Sequence, residues 1–524
     1  MLFKWLKPGS KRNQSSSSSN SNGRLFVLPY ELLEEIATTY FSRYEAVALL
    51  TVNSQFHTAF SRAVWHTLDA NRYLIRSMPG ETWQHYGHLV RCVRMEIHQL
   101  NAQWCARMPN VVELTLQLCH LSSVTIDGLE LLSLRCIRFV TYEIEWTASD
   151  ATMCMDLVHQ LEQRNKSLLV RWELVLMFDE HIAALDTVVN RIDDTSRYSL
   201  FIKYLVHRPL IFSQFSKLSR MLVKLVISDW NGHFKDFLRH CNSSSSNHGN
   251  NTGCTFPRLA ALQLYPQRGL AEDRFMASAV TPAHFPSLKT MEFRLSDDIC
   301  HLPGFSVSAS HSWSTITELR FLSSSDGNVV SQALKQVPNL ERLVFERCRL
   351  ELEIASLVTD LPRLKYFEFG TMVRLEGDGP DNIHTPVVSL KEIVFRFGEY
   401  DIHYDYATSR ELLMKFIFNG GAPGLRSLEF KGQKAVDWKK YTLKQGPQVN
   451  TAVRTLVLLG SHKNFNVSGL PELRTMFPNL KFLTLRESTD ATRKKLVKRY
   501  PYLIVTVEPV TTYHFPSSIS KQAV

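Results

Sequence analysis

Apolar residues along this chain recur in one phrase: a proline, one variable residue, then Leu-x-x-Leu-x-Leu or Phe. Near the C-terminus it is Pro478–Leu485 (PNLKFLTL), and earlier forms are Pro423–Phe430, Pro362–Phe369, Pro338–Phe345, Pro286–Phe293, Pro257–Leu264 and Pro109–Leu116. Copies without the proline begin at Leu222, Ile316, Leu390 and Val453, with weaker ones at Val90, Leu134 and Leu169. The last two apolar positions of the phrase are two residues apart, so they share one face of a short strand while their neighbours face the other way. Helical spacing follows some strands, as in 331–337 (SQALKQV) and 411–418 (ELLMKFIF). The proline before the next strand then ends the helix.

From residue 222 onward the copies start at 222, 259, 288, 316, 340, 364, 390, 425, 453 and 480. Seven of these nine gaps are 24 to 29 residues, while the 37-residue gap contains the polar tract 242–253 (NSSSSNHGNNTG). That period is the one of leucine-rich repeats. The expected fold is an α/β solenoid over residues 71–508, a horseshoe with parallel strands on its concave face and helices on its convex face. The interval from 169 to 222 has room for a degenerate copy. A doubly wound α/β enzyme also alternates strand and helix, but it would not reuse one phrase ten times.

Residues 1–23 are a Ser/Asn-rich tail too polar to fold, the tract 242–253 reads as a disordered insertion, and 509–524 as a second tail. Residues 24–70 differ from the repeats. Glu31–Ile36 is amphipathic at helical spacing behind Pro29, and a second apolar set, Val47, Leu50 and Val52, leads into Phe56, Phe60, Val64 and Trp65. Two or three short helices are expected.

This segment resembles the F-box. The opening Leu-Pro-x-Glu-Leu-Leu is matched by Leu28, Pro29, Glu31, Leu32 and Leu33, with Ile36 after it. The middle is similar at Leu49, Val52, Asn53 and Phe56, and the close at Trp65 and Leu68. Joined to leucine-rich repeats, the resemblance implies a substrate receptor of an SCF-type ubiquitin ligase. Leu28, Pro29, Glu31, Leu32, Leu33, Ile36, Leu49, Val52, Phe56 and Trp65 would then meet the Skp adaptor, and through it a cullin. The plainer alternative is a helical cap that seals the apolar end of the first repeat.

Composition narrows the classes only a little. Of 524 residues 44% are hydrophobic and 21% charged, which describes a folded chain. The net charge of +10, from 60 basic and 50 acidic residues, biases partners toward acidic surfaces without itself predicting nucleic-acid binding. The nine cysteines form no C-x-x-C pair, which favours buried thiols in a reducing compartment over a disulfide framework or zinc site. No apolar run of about 18 residues occurs, so neither a membrane span nor a membrane partner is expected and the chain reads as cytoplasmic or nuclear.

No phosphate-binding glycine loop or metal-ligand spacing is present, and scattered histidines such as His311, His384 and His403 read as loop residues. No metal, cofactor or catalytic role is expected. The basic cluster Arg493, Lys494, Lys495, Lys498 and Arg499 reads as the solvated face of a last helix, and the loop 377–381 (GDGPD) as a connection between repeats.

The expected recognition surface is the concave sheet, at Tyr265, Arg294, Arg320, Arg342, Glu346, Tyr366, Glu368, Arg396, Lys431 and Arg486, with Glu292, Glu392 and Glu429 among them. Arg and Tyr are frequent interface anchors, and both signs of charge suit a protein epitope better than a polyphosphate. A ligase-independent repeat scaffold is the second reading, and nucleic-acid binding a third.

Overall fold

The computed structural model describes residues 29–40, 46–47, 49–50, 52–71, 78–118, 131–141, 146–204, 215–227, 255–265, 281–294, 302, 305, 312–323, 327–346, 348, 350–353, 360–370, 373–376, 387–396, 417–418, 422–431, 449–459, 473–486 and 490–508. Leu28, the tails and the tract 242–253 lie outside these residues.

One parallel sheet runs through the molecule, with seventeen strands among the described residues. In chain order its members are β1 Thr67–Asp69, β2 Cys92–Glu96, β3 Glu113–Leu118, β4 Cys136–Thr141, β5 Leu169–Leu176, β6 Tyr198–Tyr204, β7 Leu222–Ile227, β8 Ala261–Leu264, β9 Thr290–Arg294, β10 Glu318–Ser323 and β11 Arg342–Phe345. Next come β12 Leu350–Glu353, β13 Tyr366–Gly370 and β14 Val373–Glu376, of which β12 and β14 form a small parallel sheet of their own, and then, in the main sheet with β13, β15 Glu392–Arg396, β16 Ser427–Lys431, β17 Thr455–Leu459, β18 Phe482–Arg486 and β19 Ile504–Glu508. Each main-sheet strand pairs with the main-sheet strands before and after it in chain order, β1 and β19 having one such partner each. Sequential parallel pairing of this kind makes an α/β repeat solenoid, because each coil contacts mainly its two neighbours.

The phrase explains the coil. In 338–345, Leu340, Leu343 and Phe345 are buried completely, while Pro338 and Asn339 sit at the surface. The first apolar residue closes a turn: Leu340 N–H donates to Val337 O at 3.1 Å, and Leu288, Leu425 and Leu480 make the same bond. The residue after the proline stitches coils together. Asn339 donates to Ser314 O (2.7 Å), Asn479 to Thr451 O (2.7 Å), Asn110 to His88 O (2.9 Å) and Ser287 to Pro257 O (2.5 Å). Each acceptor is the carbonyl two residues before the first apolar residue of the preceding coil. A short polar side chain with a donor recurs there because that carbonyl has no strand partner.

Inside, the last apolar position builds an aromatic row: Phe293 lies 5.9 Å from Phe321, Phe321 5.4 Å from Phe345, and Phe369 5.0 Å from Phe395. Of the helical patterning at 331–337, residues 331–335 lie in a helix spanning Gly327–Lys335 and 336–337 follow its end, while of 411–418 only 417–418, also helical, are among the described residues.

Two details differ from expectation. The copy expected to start at Leu169 is shifted: Leu168 is fully buried and Leu169 is half exposed, facing outward opposite Cys136. Asn165–Leu168 closes the turn one residue nearer the strand, so the inward positions fall at Leu168, Val170 and Trp172. The interval 169–222 holds β6, with inward Tyr198, Leu200 and Ile202, so a coil does lie there.

At the N-terminal end, α1 (Tyr30–Tyr40) packs on α2 (Ser54–Trp65). Asn53 caps α2, its Oδ1 accepting from Phe56 N at 2.9 Å. Arg62 reaches Glu34 at 3.1 Å across the pair. β1 falls inside the range expected for the helical module and is already the first strand of the sheet.

Candidate interaction surfaces

Two surfaces gather the residues singled out by sequence. The first is the helical end. Leu33, Ala37, Leu49, Phe60 and Trp65 point inward, and Trp65 stacks on Tyr86 at 4.9 Å with planes 6° apart. Tyr86 and Trp83 lie on α3 (Gly80–Tyr86), and Trp83 meets Trp104 of α4 (Ala102–Arg107) edge-on at 5.2 Å. Gly87 permits this approach, since a Cβ there would stand 2.0 Å from Arg107 O.

Most of the other expected adaptor residues face away. Leu32 and Val52 are each 41% exposed, Val47 48%, and Pro29 and Glu31 are exposed, while Ile36 and Phe56 are half-buried. Positions 29, 32 and 36 share one side of α1, beside the inward stripe of Leu33 and Ala37. The apolar residues singled out in this segment therefore lie on two faces, one covered and one open.

The second surface is the open face of the sheet. Register aligns the outward residues in rows, so Glu318, Arg342 and Tyr366 are consecutive in one row. Glu292, Arg320, Val344, Glu368, Val394 and Glu429 follow one another in the adjoining row. Between them runs a chain of charge contacts. Arg320 meets Glu292 at 3.3 Å and Glu318 at 3.1 Å, Arg342 meets Glu318 at 3.2 Å and Glu368 at 4.0 Å, and the Arg342 guanidinium lies 3.4 Å above the Tyr366 ring.

Tyrosine hydroxyls complete the acids: Tyr366 donates to Glu368 (2.6 Å) and Tyr265 to Glu292 (2.5 Å). Burial, followed by the bond to the carboxylate, pushes both phenols above their ordinary pKa. Arg486 reaches across to Glu429 at 2.9 Å. Glu292, Glu368 and Glu429 are 2–5% exposed, so these contacts are what allows three carboxylates to sit there.

Of the expected recognition residues, Tyr265, Arg320, Arg342, Tyr366 and Glu368 join this network, and Arg486 sits farther along at Glu429. Arg294 is exposed at the end of β9, and Glu346 is half-buried just past β11. Arg396 and Lys431 pair in register, but their side chains lie outside the described residues. Strict alternation missed the valines. Val344, Val394 and Val457 occupy outward positions yet are at most 8% exposed, and Val344 and Val394 stand beside Glu368 in the same row. Among the described residues no group of three or more His, Cys, Asp or Glu could hold a metal ion, and no helix is long and apolar enough to cross a membrane.

The sheet and its coils define the class: an α/β repeat solenoid with a helical N-terminal end. No protein-family model matches the sequence, and no curated protein matches it. A solved structure described as the Toll–Spatzle complex, a molecular hub in Drosophila development and innate immunity, is similar at 11% identity and a TM-score of 0.32. That match covers 80% of this chain, and the chain spans 60% of the length of the solved one.

Proposed function

We propose that this chain is a non-catalytic substrate receptor of an SCF-type ubiquitin ligase, with an F-box-like helical end that binds a Skp-family adaptor and leucine-rich-repeat coils that hold the target. The observation that carries the reading is the split at residues 29–65. Leu33 is buried with the two helices and Trp65 stacks on Tyr86 of the solenoid, while Leu32, Val47 and Val52 are left outward. A unit that served only as a cap would gain nothing from aliphatic side chains on its outer face, which cost solubility. The Glu292–Glu368 network then supplies a rigid polar face for a protein epitope, since its acids and guanidinia are already fixed by one another.

The test is co-purification of the tagged chain with adaptor and cullin. Leu32→Asp with Val52→Asp removes both from the eluate while thermal unfolding of the chain is unchanged. Full recovery of the adaptor by that double variant refutes the reading. The second reading, a ligase-independent scaffold, is favoured by the Trp65–Tyr86 stack and by β1 pairing with β2, both of which a terminal cap requires. It predicts no adaptor in the wild-type eluate.

A further inference from the structure

One position of the coil lies on neither surface described above. It is the residue directly after the first apolar residue of each phrase, on the rim where the chain turns into the strand. Backbone bonds fix these residues as a continuous row: Lys391 N donates to Lys365 O (2.8 Å), Arg426 to Lys391 (2.8 Å), Arg454 to Arg426 (2.9 Å) and Lys481 to Arg454 (2.9 Å). Five successive coils thus place a cation at one structural position, and all five side chains are exposed.

Earlier coils carry Val223, Ala260, Lys289, Thr317 and Glu341 on the same row, so the position itself does not demand a base. Lys and Arg together are 60 of 524 residues, too few for an unbroken run of five to follow from composition. At the first member of the run, Lys365 meets Glu341 at 2.7 Å. Lys391 donates to the Val388 carbonyl at 3.3 Å. Strands about 4.8 Å apart make the run about 19 Å long, the reach of about six extended residues. Aliphatic groups border it: Val388 is 63% exposed beside Lys391, and Ile504, whose N–H continues the row from Lys481 O, is 55% exposed.

We propose that this rim binds an extended acidic protein segment that carries apolar side chains among its carboxylates. The charge row would pair with Asp and Glu along the segment, and Val388 and Ile504 would take its apolar residues. A nucleic acid would use the cations equally but would find aliphatic rather than stacking groups at the two borders. The surface goes beyond the target-binding face proposed above and does not depend on adaptor docking.

Fluorescence anisotropy of the full chain with a labelled Glu- and Leu-rich peptide of about twelve residues tests this, at low salt and across a salt series. Binding that weakens with salt, and falls at least about tenfold when Gln replaces Glu, is expected. The triple variant Lys391→Glu, Arg426→Glu, Arg454→Glu should lose at least about tenfold in affinity with unchanged thermal unfolding. Arg135→Glu, at the same coil position far along the row, should bind like wild type. Wild-type affinity in the triple variant overturns the site, and an oligo-dT strand of equal charge that binds as tightly as the peptide overturns the partner class.

Discussion

Leu32 and Leu33 are sequence neighbours on α1 with opposite surroundings, which makes them a controlled pair. Leu33 is 2% exposed and belongs to the core shared with Phe60 and Trp65, whereas Leu32 is 41% exposed. Leu33→Ala removes buried methyl groups and leaves a void between α1 and α2, a change that costs about 2–5 kcal/mol. Leu32→Ala removes groups already in water and should stay within about 0.5 kcal/mol. A terminal unit contacts the array on one side only, so the loss is local to the helices rather than spread over the sheet. At about 1.4 kcal/mol per factor of ten, Leu33→Ala should speed amide exchange in α1 and α2 by about 30-fold or more. Suitable reporters are the Leu33 N–H on Pro29 O and the His57 N–H on Asn53 O. Exchange in β10 and β11 should not move. The reasoning fails if the two variants behave alike, or if Leu33→Ala unfolds the distant strands together with the helices.

Arg342→Ala should destabilise by about 2–4 kcal/mol, more than a surface residue would, because it strips a guanidinium from nearly buried Glu368 and from the Tyr366 ring. Urea unfolding measures it, and adding Glu368→Gln should recover part of the loss. Burial raises the Cys105 thiol from 9.0 to about 11. The folded chain therefore holds this proton where the unfolded chain has released it, and the stability it contributes is complete below pH 9 and lost as pH rises toward 11. The stability difference between wild type and Cys105→Ala should shrink over that interval, and a constant difference would contradict the assignment.

The strands were legible because the phrase carries its own physics. Two apolar residues at i and i+2 can only share a face, and a fixed period brings each such pair beside the last. β1 and β19 were harder to read because they carry the phrase in truncated form, Leu68 alone in the first and Leu503, Val505 and Val507 in the last. A coil at either end has one neighbour instead of two, which relaxes the demand for leucine at every inward position. The displaced start at Leu168 has a different cause: one residue fewer lies between turn and strand, so Leu168 rather than Leu169 closes the turn while Trp172 and Leu174 stay inward, and two adjacent leucines make the two starts look alike in sequence.

The open face was legible in membership but not in environment. Sequence alternation marks Arg320, Arg342 and Glu368 as outward, and they are; it cannot tell that Glu368 and Val394 are hidden, since that depends on which long side chains stand on neighbouring strands. Rows in a solenoid are assembled from residues about 25 apart in sequence, so a property of the row is invisible in any window of one coil. The cation run from Lys365 to Lys481 shows the same thing from the other side. Each lysine or arginine is unremarked in its own phrase, and only the backbone bonds that link one coil to the next turn five scattered charges into a single line. Function in such a fold is therefore to be sought along the rows, and a substitution should be judged by what it does to the two residues beside it in register before what it does to its neighbours in sequence.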